Sequence, residues 1–294
     1  MKIQTLSLVT PHGCNAKCPY CVGRMTCGVK TNTSAMQGIF NRKNLRTCIQ
    51  LARQSGVTTA IITGKGEPTL FPKYIEDFIE HCRDFPFIEL QTNGILLSEQ
   101  NDNDLLWEYL VNWRRRGLTH VAISIAHYDP TLNKEIFGKG YDIGLLVKRL
   151  HKIGLTVRVN CIMVKGYIDT YQKVYAWIGD SLISWAKDTG VDQLTIRPVS
   201  VPDISEDDET YKWTKEHLLT EEEIGMIKFH IDNIGTRILR LSHGATIYDV
   251  RGQNVCLTDC LTEDEDINEI RQLIFMPDSS IRYSWQHEGA ILLR

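Results

Sequence analysis

Apolar and polar positions alternate in two periods along the first two thirds of the chain. Residues 3–9 alternate as a strand, and residues 57–63 form a β-branched run. Residues 87–92, 119–125, 155–164 and 191–198 read as four more strands. Between them the period changes to that of helices. Leu45, Cys48, Ile49 and Ala52 line one face of a helix over 41–54, which ends at Gly56. Tyr74, Ile75, Phe78 and Ile79 do the same over 72–82. Helices are also predicted over 104–115, 142–153 and 170–189. Strands separated by helices imply right-handed crossovers and a parallel sheet. Six such units suit an α/β fold of the partial (β/α)6, TIM-like barrel kind. An open Rossmann-type sheet is the alternative, and element order does not separate the two.

After Pro198 the pattern changes. Residues 201–216 are acidic and turn-rich, and Thr220 with Glu223 three residues on forms a capping-box signal for a further helix. Short strand-like pieces follow at 245–250, 272–276, 281–284 and 290–293, with Asp278-Ser279-Ser280 as a hairpin turn. The expected organisation is a partial barrel over 1–200, with a cysteine-rich loop over 10–40. A small α+β extension over 201–294 is expected to cover the barrel opening.

Composition narrows the function classes. Of 294 residues, 43% are hydrophobic and 23% charged, which is ordinary for a globular chain with one large core. The net charge of −3 argues against a protein that holds nucleic acid by its phosphates. The run Arg114-Arg115-Arg116 reads as a solvated helix end facing its own dipole. No segment approaches the roughly 20 apolar residues of a membrane span, and the N-terminus is too short and polar for a signal peptide. A cytoplasmic location is expected.

Nine cysteines are many, and Cys14, Cys18 and Cys21 fall within eight residues, directly after the first strand. Catalytic loops of a parallel barrel gather at that end. The C-x3-C-x2-C spacing lets three thiolates wrap one iron–sulfur cube and leaves one iron free for another ligand. A zinc-stabilised barrel is the competing reading, with His12 or Cys27 as a fourth ligand. Cys256 and Cys260 in the tail are too few for a second full cube without ligands from elsewhere.

The cysteine spacing, with Tyr20 just before the third cysteine, resembles the signature of the radical S-adenosylmethionine (radical SAM) superfamily. The likeness extends over about residues 3–200. Gly64-Lys65-Gly66-Glu67-Pro68 resembles the family's Gly-Gly-Glu-Pro motif, with Lys65 in place of its first glycine. Gln91-Thr92-Asn93-Gly94 resembles its T-N-G segment. Ser124, Arg158 and Asn160 sit where the family contacts the ribose and the methionine carboxylate, and Arg197-Pro198-Val199 resembles the stretch bordering the adenine.

The resemblance implies a [4Fe-4S] cluster on Cys14, Cys18 and Cys21, and S-adenosylmethionine as its partner. Tyr20, Gly64, Gly66, Glu67, Asn93, Ser124, Arg158, Asn160 and Pro198 would contact that partner, Glu67 through the methionine ammonium. Reductive cleavage would give methionine and a 5′-deoxyadenosyl radical, which removes a hydrogen atom from the substrate. An external flavodoxin or ferredoxin would supply the electron. Polar tail residues (His243, Asp249, Arg251, Asp259, Arg271, Arg282 and His287) suit a small polar metabolite or nucleotide. A peptide-modifying maturase is the alternative within the family. Outside it stand an iron–sulfur electron-transfer or sensor protein and the zinc-stabilised barrel. No catalytic side chain is singled out.

Overall fold

The computed structural model describes residues 2–26, 39–99, 104–167, 181–241, 244–258 and 269–294. The six predicted strands are present: β1 (Lys2–Thr10), β2 (Thr59–Gly64), β3 (Phe87–Thr92), β4 (His120–Ile125), β5 (Thr156–Met163) and β6 (Gln193–Pro198). The helices among them are α1 (Val22–Met25), α2 (Arg42–Gln54), α3 (Pro72–His81), α4 (Ile95–Glu99), α5 (Leu105–Arg116), α6 (Pro130–Phe137), α7 (Ile143–Lys152) and α8 (Ile183–Thr189). Only the last part of the helix expected over 170–189 lies within the described residues.

Local chemistry accounts for the helix ends. Asn41, Asp129 and Asp142 each accept backbone N–H bonds at the starts of α2, α6 and α7. Gly138 ends α6 with φ 79°, a conformation that favours a residue without Cβ. The 201–216 segment, expected to be mostly turn, contains α9 (Asp208–Glu216), capped by Asp207. The capping box at Thr220 and Glu223 opens α10 (Glu221–Ile234).

Strand order decides between the two architectures. β1 to β6 follow one another in sequence across the sheet, each parallel to the next. A doubly wound sheet reverses its order part-way to cover both faces with helices, and this one does not. Leu6, Leu8, Ile62, Ile88, Leu90, Val121, Ile123, Val157, Val159, Leu194 and Ile196 all belong to one buried cluster that includes the helices. Side chains alternate along a strand, so the other parity faces a concave interior. This is the partial barrel, and the sheet does not close, because its order runs from β12 at one end to β7 at the other.

The tail adds strands to the same sheet. Its strands are β7 (Thr236–Arg240), β8 (Thr246–Val250), β9 (Gln253–Leu257), β10 (Glu269–Phe275), β11 (Ile281–Arg282) and β12 (Ile291–Leu293). β10 pairs parallel to β1 and β9 pairs parallel to β6, so both edges of the six-stranded unit are extended. The sheet thus runs unbroken across residue 200. The hairpin turn at Asp278-Ser279-Ser280 is found between β10 and β11, with Ser279 at φ 68°. Asn41 and Asn44 of the α2 start bond to Ser279 and tie this hairpin to the helical layer.

Candidate iron–sulfur and S-adenosylmethionine site

The loop carrying Cys14, Cys18 and Cys21 leaves the C-terminal end of β1 and ends in the single turn of α1. Cys14 is exposed, and Cys18 and Cys21 are half-buried. The Ala16 N–H donates to Cys14 Sγ at 3.4 Å, and Asn93 Nδ2 approaches the same sulfur at 3.9 Å. The Arg24 guanidinium bonds to the Cys18 carbonyl.

Residues that follow β2 and β6 help to hold this loop. The Glu67 N–H donates to the Gly13 carbonyl at 2.7 Å, and Lys65 Nζ donates to the Thr26 carbonyl at 3.2 Å. The lysine that replaces the motif's first glycine therefore ties the motif to the end of α1. Gly66 is required by contact: a Cβ there would lie 2.1 Å from the Gly13 carbonyl oxygen. On the far side, the Glu206 N–H donates to the Met25 carbonyl, and Trp213 of α9 lies 6.4 Å from the Tyr20 ring. Ala16, Cys18, Tyr20, Trp213 and Leu218 pack against an apolar cluster of Ala126, Ile136, Phe137, Val164 and Val199.

Three thiols on one loop match the ligand number of a cube that keeps one iron open. Among the described residues, no three of His, Cys, Asp and Glu gather as a single-ion site. Burial and the neighbouring thiols Cys21 and Cys14 push the Cys18 thiol up to about 12. The half-buried His12 imidazole is pushed towards its neutral form, by burial and then by Lys65. Cys27 and Cys260 lie outside the described residues.

Comparison with known proteins settles the family. The model of the radical SAM superfamily matches residues 8–178, more than half of the chain. The chain belongs to the radical SAM superfamily. It is 24% identical over 175 residues to GTP 3',8-cyclase of Aquifex aeolicus, covering 58% of this chain and 50% of that protein. It is 26% identical over 194 residues to PqqA peptide cyclase of Streptomyces rochei, covering 63% and 45%. The chain thus spans about half the length of these curated relatives. The fold matches Streptococcus suis SuiB bound to S-adenosylmethionine with a TM-score of 0.59 at 16% identity, over 95% of this chain and 60% of that one. This radical SAM enzyme accordingly uses a [4Fe-4S] cluster and S-adenosylmethionine. The same three thiols, on a loop at the top of β1, fit that cluster.

The remaining predicted site residues fall into three places. Gly64, Gly66, Glu67 and Asn93 surround the cysteine loop. Glu67 is 1% exposed, and both carboxylate oxygens are engaged by its own chain. Oε1 accepts from the Thr69 N–H at 3.0 Å and from the hydroxyls of Thr69 and Thr92, each at 2.6 Å; Oε2 accepts from the Asn93 N–H at 2.7 Å. Burial raises its carboxyl above the ordinary range despite these four donors.

Ser124 and Asn160 face the barrel interior, opposite one another in the β4–β5 register, and the row continues through Thr195 to Cys256. Arg158 stands two residues deeper on β5, roughly 6.6 Å further in. Its guanidinium pairs with Glu89, at 3.1 Å to Oε2 and 3.5 Å to Oε1, and Glu89 is 2% exposed. Pro198 ends β6, and Tyr20 packs against Ala126, Val164 and Val199, which follow β4, β5 and β6, with Trp213 of α9 on its other side.

Sequence reasoning missed Asn15, Thr69, Thr92 and Trp213. Thr92 lay within the T-N-G segment and Asn15 between two ligands, so position pointed to both. Trp213 carried no local signal, because its contact with Tyr20 spans nearly two hundred residues.

Among the described residues, no helix is long and apolar enough to cross a membrane.

Proposed function

We propose that this radical SAM enzyme abstracts a hydrogen atom from a small polar metabolite or nucleotide-type substrate held in the barrel interior. The observation that carries this reading is the register row Ser124, Asn160, Thr195 and Cys256, four side chains able to hydrogen-bond, on four adjacent strands. Arg158 lies one layer below this row, and Arg197, across the register from Ile162, one layer above. An apolar substrate would offer no partner to Thr195, the buried hydroxyl of this row, at about 1–3 kcal/mol for a polar group left unpaired. The similarity to GTP 3',8-cyclase agrees with a polar substrate.

When bound, the reduced cluster supplies the electron that splits S-adenosylmethionine into methionine and a 5′-deoxyadenosyl radical. The chain's own part is positional. Cys14, Cys18 and Cys21 hold the iron. Backbone carbonyls of the 64–66 turn suit the methionine ammonium, and Ser124 and Asn160 suit the ribose and carboxylate. A flavodoxin or ferredoxin is the electron donor, and the chain works in the cytoplasm. Residues 1–200 form the radical-generating unit, and 201–294 complete its rim.

Peptide maturation is the second reading, favoured by the 194-residue similarity to PqqA peptide cyclase. Offering the reduced, cluster-loaded enzyme nucleotides, small polar metabolites and peptides in parallel separates the two. The first reading predicts that 5′-deoxyadenosine forms above the substrate-free rate with a nucleotide or small metabolite. Stimulation by peptides alone would overturn it in favour of the second.

A further inference from the structure

We propose that Asn93 is a positioning residue that sets the reduction potential of the cluster, by donating an N–H to the sulfur of Cys14. This rests on the reading of Cys14 as a cluster ligand.

The amide of Asn93 cannot turn freely. Its Oδ1 accepts from the Ile95 N–H at 3.0 Å, which directs Nδ2 to the opposite side. The backbone is pinned at both of its polar groups: the N–H donates to Glu67 Oε2 at 2.7 Å, and the carbonyl accepts from the Tyr141 hydroxyl at 2.7 Å. Asn93 is 8% exposed, so its side chain is largely shielded from water. Nδ2 has two hydrogens. One meets Asn15 Oδ1 at 2.7 Å, and the other points towards Cys14 Sγ at 3.9 Å. The Ala16 N–H is a second donor to the same sulfur.

A donor beside a ligating sulfur stabilises the more negative, reduced form of a cluster and makes its potential less negative. Asn15 takes one N–H of the amide and leaves the other for Cys14. The structure assigns Asn93 a role towards the cluster, where the family resemblance implied contact with S-adenosylmethionine.

The test is a redox titration of reconstituted enzyme without S-adenosylmethionine, followed by the EPR signal of the reduced cluster. Asn93→Ser keeps an acceptor for the Ile95 N–H, as a serine turn does, but its hydroxyl cannot reach Cys14. Asn93→Ser, and Asn93→Ala beside it, are expected to hold wild-type iron with midpoints shifted to more negative values. Asn15→Ala, which removes the other acceptor of that amide, is expected to leave the midpoint unchanged. A wild-type midpoint in Asn93→Ser would overturn the proposal, and so would an equal negative shift in Asn15→Ala, which marks mere loosening of the loop. Cys14→Ala tests the underlying reading separately: a full cluster in that variant removes Cys14 as a ligand, whatever Asn93 does.

Discussion

Replacing Glu67 by alanine is expected to lower the stability of the protein before any cofactor is added. The carboxylate is the common acceptor for four donors from the 67–69 turn and the end of β3. Its removal leaves two backbone N–H groups and two hydroxyls facing a cavity. One orphaned buried donor costs about 1–3 kcal/mol, so the loss should exceed about 3 kcal/mol even with relaxation. Glu67→Gln is milder. Whichever way its amide turns, the NH2 group meets donors, because every partner of this carboxylate donates. Thermal unfolding of the cofactor-free protein checks this, with both variants below wild type and alanine the lower. If the side chain served chiefly to hold the methionine ammonium, as the motif suggests, both variants would unfold at the wild-type temperature without S-adenosylmethionine. Weaker retention of iron should follow from the same loss, since the Asn93 N–H beside the cysteine loop is held by this carboxylate.

The second large effect is expected at Gly66. An alanine Cβ would lie 2.1 Å from the Gly13 carbonyl oxygen and 2.8 Å from its carbon, both backbone atoms that no rotamer change can move. The turn and the cysteine loop must separate, and the 2.7 Å bond from the Glu67 N–H to that carbonyl breaks. Overpacking of this kind costs about 1–3 kcal/mol, but the functional loss should be larger, because Gly13 directly precedes the first ligand. Gly66→Ala should hold markedly less iron and sulfide per chain than wild type. Gly64→Ala is the control. There the Cβ meets the Thr10 hydroxyl at 2.6 Å, a side-chain atom on β1 outside the cysteine loop, so the strain falls away from the ligands. Equal iron in wild type and Gly66→Ala would contradict this account of the motif.

Much of this was readable from sequence because the strongest signals are local. The six strands are short alternating or β-branched runs, and the three cysteines need only their spacing. α6 was missed although Asp129, Pro130 and Gly138 mark its ends, because an eight-residue helix between two strands offers little periodicity. β9 and β10 were legible at most as short apolar pieces. Their parallel docking on opposite edges of the sheet depends on partners 61 or more residues away in sequence, which no local pattern encodes. The motif named Glu67 as important but could not say where its oxygens point. Nor could composition reveal that Glu89 holds Arg158, since the pairing spans three strands. Lys65 read as a defect in the motif, and only its bond to the Thr26 carbonyl shows what it contributes.

The central claim is that the loop of Cys14, Cys18 and Cys21 carries a cluster that cleaves S-adenosylmethionine. The most direct measurement is 5′-deoxyadenosine formed by the anaerobically reconstituted, dithionite-reduced enzyme, with Cys18→Ala beside it. The account predicts 5′-deoxyadenosine from the wild type and none from the variant. A protein that takes up one tight zinc in place of the cluster, or a Cys18→Ala variant as active as wild type, would contradict it.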